Sequence, residues 1–331
     1  MSQVNRRIVL ASRPTGEPAP ENFRLEETPI PAPREGEALL KTLWLSLDPY
    51  MRGRMNDAPS YAAPTGIGEV MPGATICEVM GAGQLVAAAT GWQEYAVAPV
   101  KTLRPIDISL APAPAWLGVL GMPGLTAYGG LLNIGQPKPG ETVVVAAASG
   151  PVGGAVGQIA KIKGCRAVGI AGGPEKCRLV RDEWNFDACI DHRAADFAAQ
   201  LKDVCPNGID VYFENVGGKV LETVIPLLNN FARIPLCGLV AWYNLDRLPQ
   251  GPDRSPILLR TILTKRLFVR GFIVTDFMSQ FADFQRDVPA WVASGRMKHR
   301  EHIVEGLANA PNALIGLLKG ENFGKAVIRV S

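Results

Sequence analysis

The chain has 331 residues, of which 47% are hydrophobic and 20% are charged, and its formal net charge is +3. That length allows two domains, each large enough to bury its own core. The basic residues form no long run, so composition gives no support for a nucleic-acid partner. The longest apolar region, residues 116–134, is interrupted by Pro123 and several glycines, which argues against a membrane partner.

The six cysteines show no C-x-x-C spacing, and most of them stand among apolar residues. We interpret them as small buried side chains of a protein in the reducing cytoplasm, with disulfides or zinc ligation as the less favoured alternative. After Arg6 and Arg7 only residues 8–11 are apolar, which is too short for the core of a signal peptide.

Residues 1–120 are rich in proline and glycine and carry short stretches in which apolar and polar residues alternate. Alternation bounded by turn residues predicts strands, here at 6–11, 37–45, 74–79 and 94–98. This half of the chain therefore predicts a small β-domain. Within it, Asp48-Pro49 is interpreted as a turn that caps the start of a short helix.

From Gly121 onward the pattern changes to strands that alternate with helices, which predicts a parallel sheet. The apolar run at 143–148 does not alternate and is typical of a strand buried on both faces. A glycine-rich turn follows, and then a predicted helix at 155–163 and a predicted strand at 166–171. This order within about 30 residues is the setting of a dinucleotide-binding fingerprint.

The turn of this fingerprint is Gly150-Pro151-Val152-Gly153. Gly150 is expected to let the backbone approach a pyrophosphate, and Gly153 to let the helix pack closely on the strand. The free N–H groups at the start of the helix would then face the phosphates. Ala148 stands where the usual pattern has its first glycine, so the motif is incomplete.

The residues after the second strand favour NADP over NAD. An NAD site usually carries an acid there, about 20 residues after the turn, to bind the ribose hydroxyls. Gly172 and Gly173 occupy that place, and Lys176 follows in the first turn of the next helix. A helix dipole disfavours a cation there unless an anion such as a 2′-phosphate faces it. A solvated Lys176, and Glu175 as the ribose acid, remain as alternatives.

Further strands are predicted at 187–190, 210–213, 232–237 and 268–274, then a helical region at 276–294, and at 303–330 a helix followed by a strand. Ligands of doubly wound sheets lie outside the carboxyl ends of the strands. Asn215 and Tyr243, which follow two of these strands, are therefore expected on the cofactor face.

Over nearly its full length the chain resembles the medium-chain dehydrogenase/reductase superfamily, in its zinc-free branch of prostaglandin reductases, plant double-bond reductases and bacterial curcumin reductase-like enzymes. The resemblance is carried by several ordered blocks besides the fingerprint and its helix. They are DPYMRGRM at 48–55, GWQEY at 91–95, LGMPGLTAY at 120–128, ENVGG at 214–218, YN at 243–244 and LLKGENFGK at 317–325.

The resemblance implies an α/β fold with a GroES-like β-barrel substrate domain, residues 1–120 completed by 301–331, and a Rossmann NADP-binding domain with a doubly wound parallel sheet, residues 121–300. It implies NADPH-dependent reduction of the carbon–carbon double bond of α,β-unsaturated ketones and aldehydes, and by analogy a homodimer. The positions that match the family's cofactor contacts are Gly150, Pro151, Val152, Gly153, Lys176, Asn215, Cys237, Gly238, Tyr243, Phe272, Ile273, Val274 and Asn322.

Two departures from the family pattern stand out. His192 occupies the place of a tyrosine that usually contacts the 2′-phosphate, and the imidazole would donate a hydrogen bond instead. The loop between Val79 and Gly91 is shorter than usual, which would reshape one wall of the site.

Conjugate reduction needs a hydride at the β-carbon, a hydrogen-bond donor to the enolate oxygen and a proton at the α-carbon. The cofactor supplies the hydride, so the protein contributes orientation and the donor. Tyr243 is the first candidate and Tyr50 the second, because a tyrosine hydroxyl donates while staying protonated at neutral pH. For each, a packed core tyrosine is the alternative. Water is a possible source of the α-proton.

A zinc alcohol dehydrogenase of the same superfamily would need a Cys/His catalytic site and often a four-cysteine structural site. The sequence shows neither pattern, and its closest histidine pair, His299 and His302, is predicted on a surface helix, so no metal site is predicted. A quinone oxidoreductase of the same superfamily and a non-catalytic NADPH-binding protein remain as alternatives.

Overall fold

The structure is a computed structural model that describes residues 4–247 and 251–331. These residues form two units. Unit 1 contains the chain up to Leu117, the segment Tyr243–Arg247 and Glu301–Ser331. Unit 2 contains Gly118–Trp242 and the described residues through Arg300. The chain thus leaves unit 1 after Leu117 and returns to it twice.

Unit 1 is built mainly from short strands. Up to Leu117 its elements are β1 (Val4–Leu10), β2 (Phe23–Pro29), β3 (Glu37–Ser46), α1 (Tyr50–Arg54), β4 (Thr75–Val79), β5 (Leu85–Ala88), β6 (Tyr95–Pro99) and β7 (Arg104–Pro105). β1 and β2 pair as a separate antiparallel ribbon. The long strand β3 pairs antiparallel with β6 along its first half and with β4 along its second half. β3 therefore holds the unit together and leads directly into the turn before α1.

Unit 2 alternates strands and helices. Its elements are α2 (Met122–Gly129), β8 (Thr142–Ala146), α3 (Pro151–Ile162), β9 (Arg166–Ala171), α4 (Pro174–Arg178), β10 (Ala188–Asp191), α5 (Phe197–Val204), β11 (Ile209–Phe213), α6 (Gly218–Val224), β12 (Leu228–Leu236), α7 (Ser255–Lys265), β13 (Phe268–Gly271) and α8 (Phe281–Ala293). In the described part of the chain these strands form one parallel sheet in the order β10-β9-β8-β11-β12-β13. The strand order reverses between β8 and β11, so ligands are expected at the carboxyl ends of those strands.

The core of unit 2 explains why β8 has no alternation. All of β8 is buried. Val144 and Ala146 belong to a core shared with residues of α5 and α6. Successive strand residues point to opposite faces, so Val143 and Val145 face the other side of the sheet. The predicted strand buried on both faces is confirmed, and so is the α/β fold class with a doubly wound parallel sheet.

The chain returns to unit 1 through β14 (Glu301–Glu305), α9 (Ala310–Leu318) and β15 (Lys325–Arg329). β15 pairs parallel with β14 and antiparallel with β3, which extends the sheet to the order β14-β15-β3-β4-β5-β7. The prediction for this region lacked β14. His302 lies in β14, so the surface helix predicted there is wrong. The residues of β14 pair with β15, and local periodicity does not reveal that partner.

Two other predicted boundaries are wrong near the candidate cofactor residues. The helix after the fingerprint turn begins at Pro151 and not at residue 155, because Gly150 is its N-cap and proline fits its first position. The last strand of the parallel sheet ends at Gly271. Phe272 and Ile273 follow it as connecting residues, and Val274 begins a short 3-10 helix.

Candidate functional site

The fingerprint turn connects β8 to α3. Gly150 is the N-cap of α3, and no side chain caps the first turn, so its N–H groups are left for another acceptor. A Cβ on Gly153 would lie 2.8 Å from the carbonyl carbon of Ala147, which is too close for any side chain. Pro151 and Val152 form the first turn between these two glycines. An uncapped start of a 12-residue helix is a typical place for a phosphate.

The missing first glycine of the fingerprint has a counterpart on the neighbouring strand. Ala148 is fully buried and its N–H donates to the Ile170 carbonyl of β9 at 2.9 Å. A Cβ on Gly169 would lie 2.8 Å from the Cβ of Ala148. Gly169, on the neighbouring strand β9, therefore makes room for the methyl group of Ala148. This pairing explains how the turn tolerates alanine.

The carboxyl end of β9 is where the ribose acid of an NAD site would stand. Gly172 and Gly173 follow the strand, and Lys176 lies in α4 with 8% of its surface exposed. The side chains of His192 and Arg193, which follow β10, both approach Gly172. Lys176 and His192 were predicted from the sequence, and Arg193 was not. The available signal for Arg193 is the basic pair His192-Arg193, which begins two residues after the end of a predicted strand.

Glu214 organises the carboxyl end of β11. It is fully buried, and one carboxyl oxygen accepts hydrogen bonds from the N–H groups of Val216 at 2.6 Å and Gly217 at 2.9 Å. Burial raises the pKa of Glu214 even though these bonds favour its ionised form. Asn215 follows, and its side-chain amide donates to the Ala146 carbonyl at 2.9 Å. This bond links the ends of β8 and β11 at the point where the strand order reverses.

Cys237 and Gly238 lie beside this point because both of their N–H groups donate to the Glu214 carbonyl, at 2.9 and 3.2 Å. Burial, and secondly the Glu214 carboxyl, raise the pKa of the Cys237 thiol to about 12. A thiol that stays protonated is a poor nucleophile. The Cys237 thiol is therefore not a reactive nucleophile at neutral pH.

Phe272 is a core residue. Its ring packs edge-on against Phe213 at a centroid distance of 6.0 Å and lies 5.4 Å from the ring of Phe277. A Cβ on Gly130 would overlap the Phe272 ring, so the ring fills the space beside that glycine. Any contribution of Phe272 to a cofactor site would therefore come from its backbone.

Both candidate tyrosines belong to unit 1 and are half-buried. Tyr50 is the first residue of α1, and burial, followed by the Asp48 carboxylate, raises its pKa, so the hydroxyl stays protonated and able to donate. Tyr243 begins the segment Tyr243–Arg247. Gly16 lies near residues that neighbour each tyrosine in sequence. Its carbonyl accepts a hydrogen bond from Arg52 of α1 at 2.7 Å, and a Cβ on Gly16 would lie 3.7 Å from the Asn244 carbonyl oxygen.

The turn that leads into α1 is held by a buried ion pair. The Lys325 ammonium donates to Asp48 Oδ1 and to the Leu47 carbonyl, both at 2.6 Å. The Ser46 hydroxyl donates to the second carboxylate oxygen of Asp48. Burial lowers the pKa of Lys325, and the Asp48 carboxylate opposes that shift. The last strand of the chain is thereby fastened to the turn that presents Tyr50.

Asn322 lies between α9 and β15. Its side-chain amide donates to the Gly324 carbonyl at 2.7 Å. It lines a cavity of about 260 Å³ within unit 1, together with residues of α9, β14 and β15. The structure places Asn322, Tyr50 and Tyr243 in unit 1 and the remaining candidate residues in unit 2.

Within residues 4–247 and 251–331, no group of three or more His, Cys, Asp or Glu side chains is arranged to hold a metal ion. All six cysteines are free thiols, and five of them are buried in the two units. The same described residues contain no helix that is long and apolar enough to cross a membrane.

Two family models match the chain. Residues 6–106 match the N-terminal domain of oxidoreductase, and residues 151–293 match the model described as zinc-binding dehydrogenase. The second description names zinc. Among the residues that the structure describes, no set of His, Cys, Asp or Glu side chains is arranged to bind that metal, so the donor groups present do not fit it.

Similar proteins cover the chain from end to end. It is 56% identical to the NADPH-dependent curcumin reductase of Escherichia coli, over 99% of this chain and 98% of that protein. It is 38% identical to the NADP(+)-dependent 2-alkenal reductase of Nicotiana tabacum, over 99% and 98% of the two chains. Its fold matches the crystal structure of CurA in complex with NADPH from Vibrio vulnificus with a TM-score of 0.94 and 55% identity, over 98% and 99% of the two chains.

Full-length identity at this level, the two matched models and the parallel sheet with its fingerprint turn agree with one another. They confirm the resemblance found in the sequence, including a barrel-like N-terminal unit and a Rossmann-like sheet. The chain belongs to the medium-chain dehydrogenase/reductase superfamily, in the branch that contains curcumin reductases and alkenal reductases.

Proposed function

We propose that this protein is an NADPH-dependent reductase of the carbon–carbon double bond of α,β-unsaturated ketones and aldehydes. The observation that carries the proposal is the 56% identity, over 99% of the chain, to a protein named as an NADPH-dependent curcumin reductase. The tobacco relative supports it, because a 2-alkenal is an aldehyde whose double bond is conjugated to the carbonyl. The physiological substrate is expected to belong to that chemical class.

NADP(H) is the proposed cofactor, and unit 2 supplies most of its ligands. The uncapped start of α3 at Gly150, Pro151, Val152 and Gly153 suits the pyrophosphate. Lys176 and His192 suit the 2′-phosphate at the end of β9. Asn215, Cys237 and Gly238 lie at the reversal of strand order, where a nicotinamide ribose is expected. Tyr243, Phe272, Ile273, Val274 and Asn322 complete the proposed set.

The chain's own contribution to the chemistry is orientation and hydrogen bonding. When bound, NADPH supplies the hydride for the β-carbon. The negative charge then develops on the carbonyl oxygen, and a donor already directed at that oxygen stabilises it without reorganisation. Tyr243 is the proposed donor and Tyr50 the second, and neither is a fully buried core residue. The α-proton is proposed to come from water.

A substrate panel tests the proposed function. Purified protein is assayed with NADPH against a simple enone, a 2-alkenal, a quinone and a saturated aldehyde. Turnover of the enone and the alkenal, with little turnover of the saturated aldehyde, is the expected result. Turnover of the quinone alone would favour a quinone oxidoreductase, and binding of NADPH without any turnover would favour a non-catalytic protein.

A cytoplasmic location is part of the same proposal and is supported by the six free thiols.

We also propose that the protein is a homodimer that pairs through unit 2. β13 is at the edge of the parallel sheet, and every residue of it is exposed. The adjoining helix α7 exposes Ile257, Leu259 and Leu263 by 63%, 63% and 76%. An open strand edge beside exposed apolar side chains is a pairing hazard unless something covers it. A second copy fits, because the same edge on both subunits is self-complementary about a two-fold axis.

Leu263→Glu is expected to convert this dimer to a monomer, because it places a charge on the apolar surface that pairing would bury. Sedimentation velocity at micromolar concentration measures the change. Ile108→Glu is the matched control, since Ile108 is 58% exposed but belongs to unit 1. A wild-type monomer, or a dimer that Leu263→Glu leaves intact, would contradict the proposed interface.

A further inference from the structure

Two basic side chains fill the place where an NAD-binding sheet of this kind carries its ribose-binding acid. That acid is expected just after the second strand, which here ends at Ala171. A Cβ on Gly172 would lie 3.0 Å from Nε2 of His192 and 3.2 Å from Nε of Arg193. A longer side chain at position 172 has no room unless both move. The imidazole of His192 and the guanidinium of Arg193 therefore occupy the place at which an NAD-binding protein has its ribose-binding acid.

The backbone fixes the loop that carries these donors. One oxygen of Asp191 accepts hydrogen bonds from the N–H groups of Gly173 and Arg193, both at 2.9 Å. The His192 N–H donates to the Ala171 carbonyl at 3.0 Å. The turn after β9 and the turn after β10 are therefore fastened to each other. The placement of His192 and Arg193 beside Gly172 follows from these bonds.

The charges around His192 are mostly positive. Arg193 and Asp191 flank it on its own segment, and Lys219 of α6 adds a positive charge from another segment. The helix α4, which packs against β10, carries Glu175, Lys176 and Arg178. Burial, followed by the Arg193 charge, lowers the pKa of His192, and the Asp191 carboxylate does not offset them. The imidazole is therefore mainly neutral at pH 7 in the free protein. A dianion placed among these groups would reverse the balance.

We propose that Arg193 and His192 form a two-part clamp for the 2′-phosphate of NADPH, in which Arg193 carries a permanent charge and His192 takes up a proton from solvent when the phosphate binds. Arg193 becomes a residue that determines the preference for NADPH over NADH. The proposal rests on the proposed function, because it assumes that the adenosine of NADPH binds at the end of β9. It adds that the preference weakens as pH rises.

NADH is the reference ligand for testing the clamp, because it differs from NADPH only in lacking the 2′-phosphate. Dissociation constants of both cofactors are measured for the wild-type protein and for Arg193→Gln. Loss of a charge-assisted contact on an exposed side chain should weaken NADPH binding about tenfold and leave NADH within about twofold. Lys202→Gln is the control: it removes a charge from the last turn of α5, which leads to the start of β11 and not to the carboxyl ends of the strands, and should leave both constants unchanged.

Proton uptake tests the His192 part directly. NADPH is titrated into the wild-type protein at pH 7.5 in two buffers of different ionisation enthalpy, and the difference in heat gives the number of protons bound. Uptake approaching one proton is expected with NADPH and almost none with NADH. The 2′-phosphate has a pKa of about 6, so a small fraction of free NADPH is protonated there at pH 7.5 and releases that proton on binding. This release only reduces the observed number of protons taken up. His192→Gln keeps a donor and should abolish the uptake.

Linkage gives the direction in which NADPH affinity changes with pH. A proton taken up on binding makes the affinity fall as pH rises, by up to about tenfold per pH unit. NADPH bound more tightly than NADH, with Arg193→Gln neutral or with no proton taken up by the wild-type protein, would overturn the clamp while leaving the reductase assignment in place. A protein that binds neither cofactor would overturn both.

Discussion

Tyr243→Phe should lower turnover on an enone about a hundred- to a thousandfold, the loss that typically follows removal of one donor to a developing oxyanion. The substitution keeps the ring and removes only the hydroxyl. NADPH affinity should stay within a few-fold, because the lost bond forms in the transition state and not in the cofactor complex. Single-turnover measurement of NADPH oxidation with saturating enone separates this effect from substrate binding.

Tyr50 determines how far the loss extends. If the Tyr50 hydroxyl also donates to the oxyanion, Tyr243→Phe lowers turnover only about tenfold, and the double variant of Tyr243→Phe and Tyr50→Phe shows the larger loss. Tyr95→Phe is the control, since Tyr95 lies in β6 and has no proposed role. Intact turnover in Tyr243→Phe with a large loss in Tyr50→Phe would transfer the donor role to Tyr50.

Lys325→Met should destabilise the protein by about 3–5 kcal/mol, the usual cost of removing one partner of a buried ion pair. The Lys325 and Asp48 side chains are 2% and 7% exposed, so an uncompensated Asp48 has almost no access to water. Urea unfolding at pH 7.5 measures the loss. The double variant Lys325→Met with Asp48→Asn should recover much of it, because the asparagine side chain is neutral and its oxygen still accepts from Ser46.

A second ion pair on the same strand provides the control. Arg329 pairs with Glu305 at 3.0 Å, but their side chains are 46% and 66% exposed. Screening by water leaves such pairs with less than about 1 kcal/mol, so Arg329→Met should be nearly neutral. Equal losses in Lys325→Met and Arg329→Met would contradict the role of the buried pair in fixing the turn before Tyr50.

The parallel sheet of unit 2 was predicted well because its signal is local. β9 has the predicted bounds 166–171, since an unbroken apolar run between two glycine-rich turns has few alternatives. β8 and β11 were identified for the same reason. The start of α3 was placed four residues late because the glycines and the proline of its first turn resemble loop residues when no N-cap is visible.

Unit 1 was harder to predict because its strands depend on distant partners. β2 is largely exposed and rich in charge, so its strand character comes from pairing with β1 and not from its own pattern. β14 pairs with β15, about 20 residues further along, and this pairing converted a predicted helix at His302 into a strand. Tertiary pairing of this kind overrides local propensity.

The candidate site shows the same division. Gly150 and Gly153 were predicted from the fingerprint turn, Lys176 from its place in the helix after two glycines, and Asn215 from its place after a strand. Arg193 was missed because its significance depends on Gly172, a residue about 20 positions away that lies beside it only after β9 and β10 have paired. The Lys325–Asp48 pair was missed for the same physical reason, since its partners lie at opposite ends of the chain.

The most direct test of the proposed reaction is the position of the transferred hydrogen. The protein is supplied with an unsaturated ketone and with NADPH deuterated at either face of nicotinamide C4, and the product is analysed by NMR. Conjugate reduction predicts deuterium at the β-carbon from one of the two labelled cofactors, and hydrogen from solvent at the α-carbon. Deuterium on the carbonyl carbon, with the double bond intact, would contradict the account and identify an alcohol dehydrogenase.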